Sequence, residues 1–186
     1  MTVRALFPVL MIAFLSTSCA SASERKLSVL PDQNCKFERG IDKGKIGPIL
    51  IGNSVDELRE EHQVGITSLP YLDQTGYAVS LCSDDAIVVA EADDEGIVVS
   101  LSTTSSSFQT KRGGKVGMSL EQLQAIHQDG ILSTGVEEGG WIAFRLDEIT
   151  GFFEFSLEGI AVACLRDHES CAQEFYERPA IRYWVR

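Results

Sequence analysis

The sequence predicts an α+β fold of two tandem helix–β–β–β repeats, whose strands form antiparallel sheet and whose helices pack on one face of it. Three observations predict this fold: a duplicated segment, a helix-start signal at the head of each copy, and apolar runs with strand-like alternation joined by short turns. The composition agrees with a packed globular chain, since 44% of the 186 residues are hydrophobic and 23% are charged.

The first 22 residues are predicted to be an export signal. Arg4 gives a positive start, residues 5–15 form an apolar run of about eleven residues, and small residues follow. That run is too short to cross a bilayer, which takes about 20 residues. Two processing routes stay open. Cleavage after Ala22 releases a soluble periplasmic chain, whereas a lipoprotein-type sequence before Cys19 attaches a lipid there and tethers the chain to the outer membrane.

The remainder of the chain divides into an N-terminal segment, residues 23–43, and two copies of one unit. Repeat 1 is assigned to residues 44–108, and repeat 2 with a C-terminal extension to residues 109–186. The duplication is clearest where Ile51 and the following residues match Val116 and its successors, at an offset of 65 residues. The matching segments are Ile51-Gly52-Asn53-Ser54-Val55-Asp56-Glu57-Leu58 and Val116-Gly117-Met118-Ser119-Leu120-Glu121-Gln122-Leu123.

Each copy opens with a capping box. Ser54 and Ser119 are the predicted N-cap residues, and Glu57 and Gln122 stand three residues later. In such a box the hydroxyl accepts from the backbone N–H of the third residue, whose side chain in turn accepts from the N-cap N–H. The predicted helices are residues 55–63 and 120–128. Short amphipathic helices of this kind are stable only against an apolar surface, which the strands should supply.

Three strands are predicted after each helix. They are residues 77–82, 86–92 and 97–101 in repeat 1, and residues 141–146, 152–157 and 160–165 in repeat 2. Because the connections are short, they exclude parallel crossovers and predict antiparallel hairpins. Residues 180–185 are predicted to add an edge strand. Glu95-Gly96-Ile97 and Glu158-Gly159-Ile160 are interpreted as equivalent turns of the two copies.

Alternation in repeat 2 separates two faces of its strands. Ile142, Phe144 and Leu146 point to the predicted core face. The residues that point the other way and combine aromatic with charged character are Trp141, Arg145, Phe152 and Glu154. Binding surfaces often have this composition, so the set is the predicted binding face. The alternative is that the C-terminal segment covers it.

Four cysteines remain after either route of signal processing: Cys35, Cys82, Cys164 and Cys171. An even number in an oxidising compartment predicts two disulfides, for which three connectivities exist. Cys164 and Cys171 are close in sequence, so we predict that they pair and that Cys35 pairs with Cys82. A zinc site is disfavoured because no C-x-x-C spacing occurs.

The sequence shows no pattern of catalytic or metal-ligating residues, so a non-enzymatic protein without cofactor or metal is predicted. His62 and His127 hold equivalent places at the ends of the two predicted helices. They could be paired ligands or bases, but a protonated histidine that complements the helix dipole is the preferred interpretation. The net charge of −11 argues against nucleic-acid binding, because phosphate backbones are repelled.

With its two helix-then-sheet units, export signal and four cysteines, the chain resembles the β-lactamase inhibitory protein. The segments Gly117-Met118-Ser119-Leu120-Glu121-Gln122-Leu123 and Gly52-Asn53-Ser54-Val55-Asp56-Glu57-Leu58 also resemble the helix start of the BamE/SmpA/OmlA envelope lipoproteins, although Asn53 departs from their pattern. The architectural resemblance covers residues 44–166. It implies a non-enzymatic binding protein of the bacterial envelope and carries no contact residue across.

The function expected from the sequence is therefore that of an exported binding module. Its partner would be an envelope protein or a cell-wall component, and an inhibitor or immunity-type protein acting on a basic partner is the more specific version. Two alternatives stay open: a lipoprotein with a structural role in envelope assembly, held to the membrane only through Cys19, and a hydrolase.

Overall fold

The computed structural model describes residues 37–69, 75–81, 86–136, 140–168 and 171–186. Its strands are β1 Gly40–Asp42, β2 Lys45–Ile46, β3 Ile49–Leu50, β4 Gln63–Ser68, β5 Thr75–Ser80, β6 Ile87–Ala92, β7 Val98–Thr103, β8 Gln109–Thr110, β9 Ile131–Gly135, β10 Trp141–Leu146, β11 Gly151–Phe155 and β12 Ala180–Val185. The α-helices are α1 Val55–Glu61, α2 Leu120–Ile126, α3 Val162–Arg166 and α4 Ala172–Tyr176, and a 3₁₀ helix spans Asp147–Ile149.

Eight of these strands form one antiparallel sheet in the order β4-β5-β6-β7-β12-β11-β10-β9. Each half of the order is a four-stranded meander that follows one of the helices α1 and α2. The halves meet where β7 pairs antiparallel with β12, through Leu101 opposite Val185, Ser102 opposite Trp184, and Thr103 opposite Tyr183. This junction makes the two repeats one continuous sheet.

The small sheet and the helices α1 and α2 share a core with the large sheet. The small sheet has the order β3-β2-β1-β8, and the pairing of β1 with β8 is parallel. A single cluster of buried apolar side chains draws on the small sheet, α1, α2 and the large sheet; its members include Ile41, Ile46, Ile49, Leu58, Leu120, Leu123, Phe144, Phe153 and Val185. The two repeats therefore share one core.

The predicted capping boxes are confirmed in both copies. The hydroxyl of Ser54 accepts from the N–H of Glu57 at 3.1 Å, and that of Ser119 accepts from the N–H of Gln122 at 3.3 Å. The reciprocal bonds from the N-cap N–H groups to the Glu57 and Gln122 side chains are also present. The helices begin where predicted and end at residues 61 and 126, with His62 and His127 as the C-caps.

Each helix start is joined to the last strand of its own repeat by the same backbone bonds. Gly52 N–H donates to the carbonyl of Val98, and Gly117 N–H donates to that of Ala180, both at 2.8 Å. Both glycines have positive φ, +94° and +92°, which glycine adopts without the Cβ penalty. The copies are therefore equivalent in hydrogen bonding as well as in sequence.

The predicted α+β class, with helix–β–β–β units and helices packed on one face as a layer, is wrong: the described chain is predominantly β. α1 and α2 are only seven residues long, and each is followed by four strands of the large sheet. The strands that the sequence analysis missed are β4 and β9, which contain glycine and several small polar residues. The strands of the small sheet are two or three residues long and give no periodic signal.

Three local expectations are also corrected. Residues 160–165, predicted as a strand, lie largely in α3, since a short apolar run does not distinguish a strand from a buried helix. Residues 180–185 form β12 as predicted, but at the centre of the sheet rather than its edge. The turn equivalent to Gly96-Ile97 is Arg178-Pro179, because Val55 N–H donates to Gly96 and Leu120 N–H donates to Arg178.

The predicted disulfide between Cys164 and Cys171 is present, with the two Cα atoms 5.4 Å apart. The export signal, Cys19, and the proposed bridge from Cys35 to Cys82 lie outside the described residues and stay predictions. Among the residues that the structure describes, no helix has the length and apolar character that crossing a membrane requires.

We predict that Ser54→Ala and Ser119→Ala each lower the free energy of unfolding by about 0.5–2 kcal/mol, because each removes the acceptor for an N-terminal N–H of its helix. Urea unfolding followed by circular dichroism measures the change. The control Gln124→Ala, in the middle of α2, should change stability by less than about 0.5 kcal/mol. Equal losses in all three variants would contradict the importance of the caps.

Candidate functional site

The four residues of the predicted binding face lie on the same side of the large sheet, opposite the core. In the register of β10 with β11, Arg145 is opposite Phe152, and Ala143 is opposite Glu154. Because side chains two residues apart in a strand point to the same face, Trp141 shares the face of Ala143 and Arg145. The C-terminal strand does not cover this face. It extends it, because Phe152 is paired with Trp184 of β12.

Trp184 is the centre of this face. Its indole N–H donates to Glu154 Oε2 at 2.7 Å, and the ring stacks with Phe152 at a centroid distance of 6.2 Å. The guanidinium groups of Arg182 and Arg186 lie 5.4 and 6.0 Å from the ring centroid. Because Trp184 and Glu154 are each only 8% exposed, they support the face from within rather than offering themselves to a partner.

Arg145 and Trp141 differ from that buried pair. Arg145 is exposed and donates to Asp147 at 3.1 Å, so its charge is already compensated. Trp141 is 43% exposed and lies at the end of the sheet, where β9 and β10 form a hairpin. Of the four predicted residues, Trp141 is the one that offers a large apolar surface to solvent.

Trp141 lines a cleft of about 370 Å³, which we call the Trp141 cleft. Its lining residues are Thr134, Gly135, Val136, Trp141, Leu165 and Arg166. Two glycines make room for its walls. A Cβ on Gly135 would overlap the Trp141 indole, and a Cβ on Gly140 would lie 2.6 Å from Leu165 Cδ1. Its volume lies within the range of small binding pockets, and its lining combines apolar with polar groups.

One wall of the Trp141 cleft belongs to α3, which lies in a long excursion between β11 and β12. The disulfide between Cys164 and Cys171 ties α3 to the start of α4. Leu165 of α3 is buried. Val162, at the start of α3, is an exposed apolar residue. The cleft is therefore built on two fixed elements.

A second cluster of polar residues is centred on His127. Its Nε2 is 2.9 Å from the hydroxyl of Thr110, which also accepts from Gly114 N–H. Its Nδ1 is 3.4 Å from Glu148 Oε1, close enough for electrostatic attraction but too poorly aligned for a strong hydrogen bond. Arg112 bridges Glu148 at 3.1 Å and Asp129 at 2.6 Å. The cluster fastens β8 and the residues that follow it to the end of α2 and to the 3₁₀ helix.

Burial lowers the pKa of His127, and this effect outweighs the carboxylate of Glu148, which raises it. A lowered pKa disfavours the protonated form that the helix-dipole interpretation of His127 requires. The order hydroxyl, imidazole, carboxylate is that of a nucleophilic triad. However, His127 is 1% exposed and Thr110 is equally buried, so a substrate cannot reach either group. The cluster serves the fold.

Metal chemistry gains no support from the described cysteines and histidines. Cys164, Cys171 and Glu174 lie close together, but the two sulfurs are joined in the disulfide and offer no thiolate. His62 pairs with its neighbour Glu61 at 3.9 Å, and no group of ligands in the described part of the chain includes it or His127.

Sequence reasoning missed Arg166, Leu165 and the two glycines of the cleft. Residues 160–165 were assigned to a strand, so the side chains of α3 were not placed beside Trp141. Gly135 and Gly140 flank the connection between β9 and β10, and Trp141 is paired with Gly135. A glycine on each side of a hairpin connection, next to an aromatic residue, was the signal in the sequence for a close approach of side chains there.

Comparison with known proteins informs the fold. No protein-family model matches the chain, and no curated protein matches it. Among solved structures the chain is similar to the crystal structure of the uncharacterized protein yfeY from Escherichia coli, with a TM-score of 0.51 and 12% identity, over 79% of this chain and 97% of that chain. At this identity the likeness shows the fold alone. The resemblances to the β-lactamase inhibitory protein and to the BamE/SmpA/OmlA lipoproteins stay predictions.

We predict that Trp184→Phe lowers the free energy of unfolding by about 1–3 kcal/mol, because the buried Glu154 carboxylate loses its indole donor. Trp141→Phe, the matched substitution at the exposed tryptophan, should change stability by less than about 0.5 kcal/mol. Urea unfolding of the two variants and the parent protein measures both effects. A loss in Trp141→Phe as large as in Trp184→Phe would contradict this assignment.

We also predict acid sensitivity from His127. Its folded-state pKa is lowered, whereas the unfolded chain has the ordinary value of about 6.5. The stabilisation is therefore complete above that pH and is lost as the pH falls from about 6.5 towards the folded-state pKa, by at most about 1.4 kcal/mol per pH unit.

Urea midpoints measured across this pH range test the prediction. His127→Gln should flatten the dependence, whereas His62→Gln, which removes the equivalent and more exposed imidazole, should leave it in place. An identical pH dependence in His127→Gln and the parent protein would overturn it.

Proposed function

We propose that the protein is an exported, non-enzymatic binding module of the bacterial envelope, which holds a partner protein at the Trp141 cleft. The observation that carries this proposal is the half-exposed indole of Trp141, laid over Gly135 and facing Leu165 and Arg166 across an open cleft. Tryptophan and arginine in preformed pockets contribute disproportionately to protein–protein affinity. The cleft also presents two exposed apolar side chains, Val136 and Trp141, to solvent.

The charge of the chain favours a basic partner. An acidic pole lies in the first repeat, where the start of α1 is bonded to the turn between β6 and β7 through Val55 and Gly96. The exposed carboxylates of this pole are Asp56, Glu57, Glu60, Glu61, Asp93, Asp94 and Glu95, with Arg59 among them. With a net charge of −11, the field of the whole molecule accelerates encounter with a positively charged protein, such as a cell-wall hydrolase that it inhibits.

The test is capture of envelope proteins from the bacterium that encodes the chain, on immobilised parent protein and on two variants. Trp141→Ala should lose the retained partner. Val99→Ala is the matched control, since Val99 has the same 43% exposure and belongs to the first repeat, and it should retain the partner. Raising the salt to about 1 M, which shortens the Debye length to about 3 Å, should slow association.

The opposite results count against the proposal. If no protein is retained at low salt, or if Trp141→Ala retains as much as the parent protein does, the cleft is not the contact. Circular dichroism of each variant confirms that the fold survives, so that loss of capture reports on the surface.

A further inference from the structure

The edge of the large sheet next to the Trp141 cleft is formed by β9, which α3 contacts near Thr134 and Gly135. β9 stands at the end of the strand order, so within the described residues it pairs with β10 alone. Its sequence, Ile131-Leu132-Ser133-Thr134-Gly135, contains no charged residue and no proline. Natural edge strands usually carry such residues because the unpaired N–H and C=O groups otherwise accept a further strand. Thr134 and Gly135 belong both to this edge and to the cleft.

Arg166 is the charged residue among the described residues that line the cleft. It is exposed in the last turn of α3 and lines the cleft beside Trp141. It makes no ion pair or hydrogen bond with any other residue that the structure describes. The other arginines of this repeat are engaged: Arg112, Arg145 and Arg182 with carboxylates, Arg178 with backbone carbonyls, and Arg186 with the ring of Trp184. A guanidinium with all its donors open is suited to a planar carboxylate.

We infer that the partner docks by strand addition. An extended segment of the partner pairs with β9, places one bulky apolar side chain against Trp141 and Leu165, and sets a carboxylate on Arg166. In this mode main-chain bonds supply affinity and the pocket supplies specificity. The inference rests on the proposed function and names the partner's contact segment. A partner of basic net charge can carry such a segment, since steering acts over the whole surface and Arg166 acts at contact distance.

A second copy of this chain is a poorer occupant of the same edge. Each copy carries a net charge of −11, which opposes self-association. Moreover, β9 contains no carboxylate, so a second β9 strand paired at this edge would offer no acidic side chain to Arg166. A foreign segment with an acidic group satisfies the edge, the apolar surface and the charge together.

The test uses two displayed libraries of random heptapeptides, one ending in a free carboxyl terminus and one followed by a fixed linker. Both are selected on the full-length protein. Enriched peptides should combine a bulky apolar residue with a neighbouring carboxylate. Enrichment in the free-terminus library alone identifies the terminal carboxylate as the group bound, and acidic side chains enriched in the linker library identify a side-chain carboxylate. If no peptide is enriched, or if the enriched peptides lack a carboxylate, the inference is overturned.

Affinities are then measured by fluorescence on the Trp184→Phe variant, in which Trp141 is the sole tryptophan, because the chain contains two. Arg166→Gln should weaken an enriched peptide about tenfold to a hundredfold, as for loss of a charge-assisted hydrogen bond. The control Lys115→Gln, which removes an exposed cation before α2, should leave the affinity unchanged. A peptide N-methylated at consecutive residues, which has no free N–H on either edge, should bind at least about tenfold more weakly.

These outcomes separate the inference from the proposed function. If N-methylation or Arg166→Gln leaves the affinity unchanged while Trp141→Ala still abolishes capture of the envelope partner, strand addition is wrong and the cleft remains the contact. If Trp141→Ala retains the envelope partner while the peptides behave as expected, the peptide site exists and the proposed function is wrong.

Discussion

The pairing of β7 with β12 is the constraint on which the rest of the structure depends. Each repeat brings a helix and a four-stranded meander, and this single antiparallel contact between their last strands makes them one eight-stranded sheet over one core. A meander of four strands with a seven-residue helix buries little apolar surface by itself. The same contact puts Trp184 opposite Ser102 at the centre of the outer face and sends β9 to the far edge. The position of the cleft at an edge is therefore a consequence of this join.

The features that the sequence predicted well are those whose cause is local. A capping box is closed within four residues, so Ser54 and Ser119 were sufficient to locate both helix starts. The strand 141–146 was predicted with the observed bounds, because its alternation of Ile142, Phe144 and Leu146 is complete. By contrast, β4 and β9 draw their stability from the neighbouring strand rather than from their own residues, and pairings such as β1 with β8 join residues far apart in the chain. Alternation within a segment carries no information about such partners.

The candidate site divides in the same way. Alternation placed Trp141, Arg145, Phe152 and Glu154 on one face, but it could not tell the exposed indole from the buried carboxylate, since burial depends on β12. Trp184 and Arg166 come from segments distant in sequence and meet this face only through tertiary contacts. The two histidines show the same limit. Duplication predicted equivalent helix ends, yet only His127 is enclosed, because Thr110 and Glu148 reach it from outside the helix.

Between their third and fourth strands the two halves differ in length. The first half uses the tight turn of residues 93–96, in which the Asp93 carboxylate accepts from two backbone N–H groups. In the second half the chain leaves the sheet at residue 156 and returns at 179, with a covalent cross-link inside the detour. The duplication permits this asymmetry. The first half keeps a short connection that holds its strands together, so the second half can carry an insertion. We therefore expect changes of sequence and length to concentrate in residues 156–179, where they leave the strand pairing of the large sheet unchanged.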